Sequence, residues 1–200
     1  FDFEDFQADS NRFQININNN QFSNDRLLLD IPSIKGELKF EGQVPWPKKW
    51  NSPGIMGPYS FIPFMECNHG ILSMNHSIEG ILNINSNSID FTNGKGYIEK
   101  DWGKSFPSAY IWMQSNHFNN ENVSIKASIA KIPWLRSSFV GFICGLWYNN
   151  ELIQFTTYNK TQLKYVKVDK SKVNLVMSNQ HYKIKIVAHR RAATSLASPI

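Results

Sequence analysis

Two carboxylates and a phenol stand at alternate positions in Gly96-Tyr97-Ile98-Glu99-Lys100-Asp101-Trp102-Gly103. In an extended chain Tyr97, Glu99 and Asp101 share one face and Ile98, Lys100 and Trp102 the other, with same-face neighbours roughly 7 Å apart. Two acids at that spacing can do general acid work, because desolvation and a neighbouring like charge keep one of them protonated. A little further on, Tyr110, Trp112, Gln114 and Asn116 alternate with Ile111, Met113, Ser115 and His117, giving an aromatic, amide-rich face. Buried amides need polar partners, and a carboxylate is a good one. Upstream, Cys67 and His69 also fall on one strand face. Each of these residues has a structural reading as well. Asp101-Trp102-Gly103 makes a strand end, Glu99 a surface ion pair with Lys104 or with a lysine of a neighbouring strand, Tyr97 and Trp112 core aromatics, and His69 a hydrogen-bonded core histidine.

Other chemistries fail on spacing. Gly103-Lys104-Ser105 resembles the end of a phosphate-binding loop, but the glycine required five positions earlier is Ile98. Gly94 and Gly96 lack the third glycine and the following helix of a dinucleotide site. Cys67, His69 and His76 are metal-ligand types without a second close pair, so no metal is expected. Glu66 beside Cys67 raises a thiol pKa and argues against a nucleophilic cysteine. Basic residues between Lys160 and Arg191 alternate with apolar ones like any strand surface, so nucleic acid is not an expected partner.

The elements that must carry these residues are strands. Period-two alternation runs through Phe13, Ile15 and Ile17, through Leu38 and Phe40, through Val123, Ile125, Ala127 and Ile129, and through Tyr182, Ile184 and Ile186 with Lys183 and Lys185 between. Each such run predicts a strand with one buried face. Asn18-Asn19-Asn20, Ser86-Asn87-Ser88, Asn119-Asn120-Glu121, Asn149-Asn150 and Ser178-Asn179-Gln180 separate the runs with residues that tolerate left-handed turns. Connections this short leave no room for the crossover helices of a parallel sheet, so the expected class is all-β and antiparallel, a barrel or sandwich. A small closed barrel would remove exposed edges and could enclose one apolar ligand. One stretch departs from the pattern: Val44 to Tyr59 holds Pro45, Pro47, Pro53, Gly54, Gly57 and Pro58 with Trp46 and Trp50. This reads either as a binding loop or as a connection whose tryptophans plug the core.

Composition sets the outer bounds. Two hundred residues at 42% hydrophobic and 18% charged, with net charge +5, describe a globular chain of one large or two small domains. No charge-free apolar run approaches the length of a bilayer-spanning helix; Phe139 to Tyr148 is about half of it. Two cysteines make no disulfide framework, which makes the cytoplasm the default location. The acidic start Phe-Asp-Phe-Glu-Asp-Phe is unlike a signal peptide, and both it and the final Ala-Ala-Thr-Ser-Leu-Ala-Ser-Pro-Ile read as parts of a longer protein.

The residues quoted above also carry a family resemblance. Gly96 to Gly103, then Ser105-Phe106-Pro107, Trp112, Gln114-Ser115-Asn116-His117-Phe118, and upstream Gly54-Ile55-Met56-Gly57 and Pro63-Phe64-Met65-Glu66-Cys67-Asn68-His69-Gly70, resemble the tocopherol cyclase family. The resemblance implies lipocalin-like barrels shared with the more distant carotenoid hydratases. Two barrel domains, 1–105 and 106–200, would then lie with the motif strand near their junction. It implies that a prenylated or otherwise apolar molecule is bound and that its alkene is protonated before intramolecular ring closure. Glu99 would be the acid, Asp101 would hold charge or orient the nucleophile, His69 would act as base or hydrogen-bond partner, and Tyr97 would face the cation. Trp46, Trp102, Trp112, Gln114 and Asn116 are the implied substrate contacts, with His117 a weaker candidate. No cofactor is called for, the partner is a hydrophobic small molecule such as a prenyl quinol or lipid, and peripheral membrane contact is compatible with it. The Asn, Ile and Lys bias fits a bacterial coding sequence rich in A and T. A hydratase of a prenyl double bond and a lipocalin-like carrier without chemistry are the alternatives.

Overall fold

The computed structural model describes residues 1–63, 65–120, 122–134 and 137–194. Phe64 of the upstream motif, Glu121 of one expected turn and the last six residues of the terminal tail lie outside them.

The class expected from alternation is the class observed. Fifteen strands and two short 3-10 turns, Phe3–Asp5 and Gly57–Phe61, make up the regular structure among the described residues. No helix there is long and apolar enough to cross a membrane. Strands β1 (Phe6–Ala8), β2 (Gln14–Ile17), β3 (Asn20–Ser23), β4 (Arg26–Ile31), β5 (Ile34–Glu41), β6 (Cys67–Ile84) and β7 (Asn87–Asp90) form an antiparallel meander in chain order, and β8 (Gly94–Gly103) pairs with β6. Strands β9 (Tyr110–Ser115), β10 (Val123–Trp134), β11 (Ser137–Tyr148) and β12 (Glu151–Thr156) form a second sheet, and β13 (Gln162–Val168), β14 (Lys172–Ser178) and β15 (Lys183–His189) a third. The strand pairings close no ring among the described residues.

Turn chemistry explains the joints. Asn18, Asn85, Ser86, Asn149 and Asn150 all take positive φ, the conformation that short hairpin turns demand and that asparagine tolerates better than most residues.

The chain divides into two compact units, Phe1–Trp46 with Ile71–Lys100 and Pro47–Gly70 with Asp101–Ile200. The first buries Leu38, Trp46, Ile71, Met74 and Leu82. In the second, Ile125, Ala127 and Ile129 of β10, Phe142 and Cys144 of β11 and Phe155 of β12 pack as one cluster with Leu175 and Met177 of β14. Each large apolar side chain so buried contributes about 1.5–3 kcal/mol. Burial also lifts the Cys144 thiol to about 12, so it stays protonated and inert.

On one point the alternation misleads. β10 reads as a strand with one buried face, yet every residue from Val123 to Ile129 is buried, Lys126 and Ser124 completely. Both faces of that strand are covered. By contrast Lys183 and Lys185 of β15 stand exposed between the half-buried Ile184 and Ile186, as the sequence pattern expects.

Candidate functional site

The second unit holds an apolar pocket of about 60 Å³. A single water needs roughly 10–15 Å³ on such a measure, so the space admits part of a small apolar molecule. Its walls come from well-separated places in the sequence: Met56 and Tyr59 of the Pro/Gly-rich loop, Met65, Cys67 and His69 at and just before the start of β6, Pro107, then Ser128, Ala130 and Ile132 of β10, Phe139 and Gly141 to Ile143 of β11, and Thr157 and Tyr158. Aromatic faces dominate one side. Tyr59 stacks on Phe139 with ring centroids 5.9 Å apart, and Trp134 meets both edge-on.

Local sequence explains why the loop reaches the pocket. Gly57 has φ +58, and a Cβ there would lie 2.6 Å from the Tyr158 ring, so only glycine lets the chain turn over that ring. The Tyr158 hydroxyl donates to the carbonyl of Ile55 at 2.8 Å, and burial pushes its pKa up to about 12. The tyrosine therefore acts as a neutral wall and clasp.

His69 is a titratable residue of the pocket wall. Its Nδ1 lies 2.5 Å from an Asp101 carboxylate oxygen, and the two side chains are 18% and 30% exposed. What brings the aspartate there is a seat on Glu66, the residue before β6. The Lys104 amide donates to the Glu66 carbonyl at 2.8 Å and the Ser105 hydroxyl to its carboxylate at 2.8 Å. A Cβ on Gly103 would come within 2.0 Å of that same carbonyl. The run Asp101-Trp102-Gly103-Lys104-Ser105 thus docks the end of β8 beside the start of β6. A carboxylate bonded to one ring nitrogen fixes the histidine's tautomer and stabilises the imidazolium.

The other residues singled out in the sequence fall in several surroundings. Tyr97 donates its hydroxyl to Glu99 at 2.6 Å, both half-buried on β8 within the first unit. Trp46 is buried in the first unit and Trp50, 92% exposed, is in solvent; neither lines the pocket. Trp102 and Trp112 are about half exposed, Asn116 is buried, and His117 is exposed. Trp112 and Gln114 of β9 pair in register with Ser128 and Lys126 of β10, so they share that sheet face. His76, grouped with His69 as a metal-ligand type, gives its Nδ1 to Ser73 at 3.0 Å inside the first unit.

Several wall residues carry no signal in the sequence. Tyr59 and Met56 lie in the loop marked as a binding candidate, but its tryptophans draw the eye first. Phe139 opens an apolar run with no marked function, Ser128 sits in an ordinary alternating strand, and Lys126 reads there as a solvent-facing residue. Its Nζ instead donates to Ser128 Oγ at 2.9 Å in the interior.

A sequence model described as tocopherol cyclase-like matches residues 4–200. No curated protein and no solved structure gives a match.

Proposed function

Because the chain belongs to the tocopherol cyclase-like family, we propose that its second unit binds the prenyl part of an apolar molecule. There the His69–Asp101 pair protonates an alkene so that the molecule closes a ring on itself. The observation that carries this reading is a histidine–carboxylate pair with its histidine in the wall of an apolar, aromatic pocket.

The chemistry follows from the weakness of an alkene as a base. A proton passes from the pair to one alkene carbon, leaving a tertiary cation on the other. Aromatic faces such as Tyr59 and Phe139 stabilise a cation that water would trap. A hydroxyl oxygen of the same molecule then attacks the cation, and its proton returns to the pair, so the product is an isomer and the protein is unchanged. Glu99, bonded to Tyr97, is the alternative donor that the sequence motif suggests. The reading includes lipocalin-like barrels for 1–105 and 106–200, the architecture in which an antiparallel sheet curls round one apolar ligand.

The test is incubation with a prenylated hydroquinone in heavy water. The expected product has the substrate's composition with one solvent deuteron on the former alkene carbon, and Asp101→Asn and His69→Gln lose it while still binding ligand. Recovery of unchanged ligand makes the protein a carrier, and a product heavier by one water makes it a hydratase; either result overturns ring closure. Loss in Glu99→Gln with full activity in Asp101→Asn moves the acid to Glu99.

A further inference from the structure

The pocket's polar wall groups are not equivalent. Thr157 Oγ1 donates to the Phe142 carbonyl at 3.0 Å and accepts from the Phe142 amide at 2.7 Å. The Tyr158 hydroxyl donates to the Ile55 carbonyl, and His69 is bonded to Asp101. Ser128 differs. Its oxygen takes a hydrogen from Lys126 Nζ at 2.9 Å, and among the described residues its own hydroxyl hydrogen goes to no acceptor. Ser128 is only 9% exposed, and it lines the pocket, where a bound molecule can meet it. A buried hydroxyl with an unused hydrogen is costly unless something accepts it.

Lys126 sharpens that hydrogen. The lysine nitrogen donates to the serine oxygen, and a hydroxyl that accepts from an amine becomes a stronger donor in turn. The lysine is fully buried on the same strand face, two residues along β10, and cannot move to solvent without opening the sheet. It holds Ser128 as donor.

We propose that Ser128, oriented by Lys126, is the group that recognises an oxygen acceptor on the ligand. The pocket then selects apolar molecules bearing a carbonyl, ether or quinoid oxygen over plain hydrocarbons. This rests on the pocket reading above but not on the chemistry assigned to His69 and Asp101. Ser128 touches the ligand; Lys126 is a positioning residue.

The probes are geranylacetone, a prenyl ketone whose oxygen can only accept, and the hydrocarbon in which a methylene replaces that oxygen, with binding followed by quenching of tryptophan emission. The wild-type protein is expected to favour the ketone about fivefold, the net worth of one hydrogen bond. Ser128→Ala should bind both equally, through loss of ketone affinity alone. Lys126→Met, which fills the same space with an apolar chain, should reduce the ratio while keeping hydrocarbon affinity; if that variant fails to fold, Ser128→Ala decides. A ketone preference that survives Ser128→Ala, or a wild-type protein that binds both probes equally, overturns the inference and leaves the pocket intact. Binding of neither probe by the wild-type protein removes the pocket reading and this inference with it.

Discussion

Strand β6 carries two histidines seven positions apart, His69 and His76, and their surroundings are opposites. An odd separation sends them to opposite faces of the strand. His76 is 2% exposed, its ring lies 4.8 Å from that of Phe40, and its Nδ1 bonds to the neutral Ser73 hydroxyl, which passes a hydrogen to the Asn75 carbonyl. Burial drives its pKa down to about 4, so it is neutral at neutral pH. His69 instead faces a carboxylate 2.5 Å away in the wall of a pocket. Residue type is shared; the partner decides. A hydroxyl partner does little for a charged ring, whereas a carboxylate partner favours the charged form.

The sharpest test of that contrast is catalytic. Removing a positioned acid–base group costs about 10²- to 10⁴-fold in rate, so His69→Gln and Asp101→Asn should each lower the ring-closing kcat by that factor. His76→Gln should leave kcat per folded molecule within about twofold while lowering the midpoint of thermal unfolding, as a change at a buried structural site does. Equal kcat losses in the two histidine variants would erase the distinction between them.

The two histidines also show how much the sequence could tell. Strand periodicity, asparagine turns and the antiparallel class were legible because each depends on neighbours a few residues away: Asn149 and Asn150 turn, and Lys183 and Lys185 face out. The His69–Asp101 bond spans 32 positions and depends on Gly103, Lys104 and Ser105 all seating on Glu66. Spacing along the chain does not encode that. Lys126 was hidden for a related reason, since a lysine at an alternate strand position is solvent-facing unless something covers the second face of the sheet, and coverage is a tertiary property. The motif strand was recognisable as chemistry, but the family resemblance pointed to Glu99 as the acid, and nothing in the spacing of Asp101 showed that it meets His69.

The contrast can be strained from the other side of His76. A Cβ on Gly96 would come within 1.9 Å of its Nε2, so the ring lies where only glycine allows. Gly96→Ala must push the ring or the strand, and overpacking of this kind costs about 3 kcal/mol. Gly54, with open space where its Cβ would go, should tolerate alanine within about 0.5 kcal/mol. Urea unfolding of the two variants checks the pair, and a loss below about 1 kcal/mol in Gly96→Ala would mean that His76 has another place to go.

A smaller effect follows from acid. The folded-state pKa of His76, about 4, lies below its ordinary 6.5. Between those values the unfolded chain binds the extra proton and the folded one does not, so stability rises with pH through that window and falls on acidification. Linkage gives a loss of about 2 kcal/mol between pH 7 and pH 5. Asp9, Asp25, Asp30, Asp90 and Asp169 have pKa values lowered from 3.8, chiefly by hydrogen bonds, and their contribution disappears only below that range. His76→Gln should therefore flatten stability between pH 7 and pH 5 and leave the steeper fall below pH 4 in place. An unchanged slope would mean that the proton taken up lies elsewhere.

The smallest effect isolates the serine. Ser73 Oγ accepts from His76 Nδ1 at 3.0 Å and from the Val44 amide at 3.2 Å, and donates to the Asn75 carbonyl at 2.8 Å. Ser73→Ala removes all three bonds, but the Val44 amide also donates to the Asn75 carbonyl at 3.1 Å, so the chief loss is the partner of Nδ1. Leaving one buried donor unmet costs about 1–2 kcal/mol. Neutral imidazole and imidazolium both donate from Nδ1, so the alanine takes a partner from each protonation state. The variant should lose stability by nearly the same amount at pH 7 and pH 5, unlike His76→Gln, whose deficit shrinks on acidification. A Ser73→Ala deficit that itself shrinks towards pH 5 would show that the hydroxyl, not burial, keeps His76 neutral, and the two histidines would then differ in their hydrogen-bond partners alone.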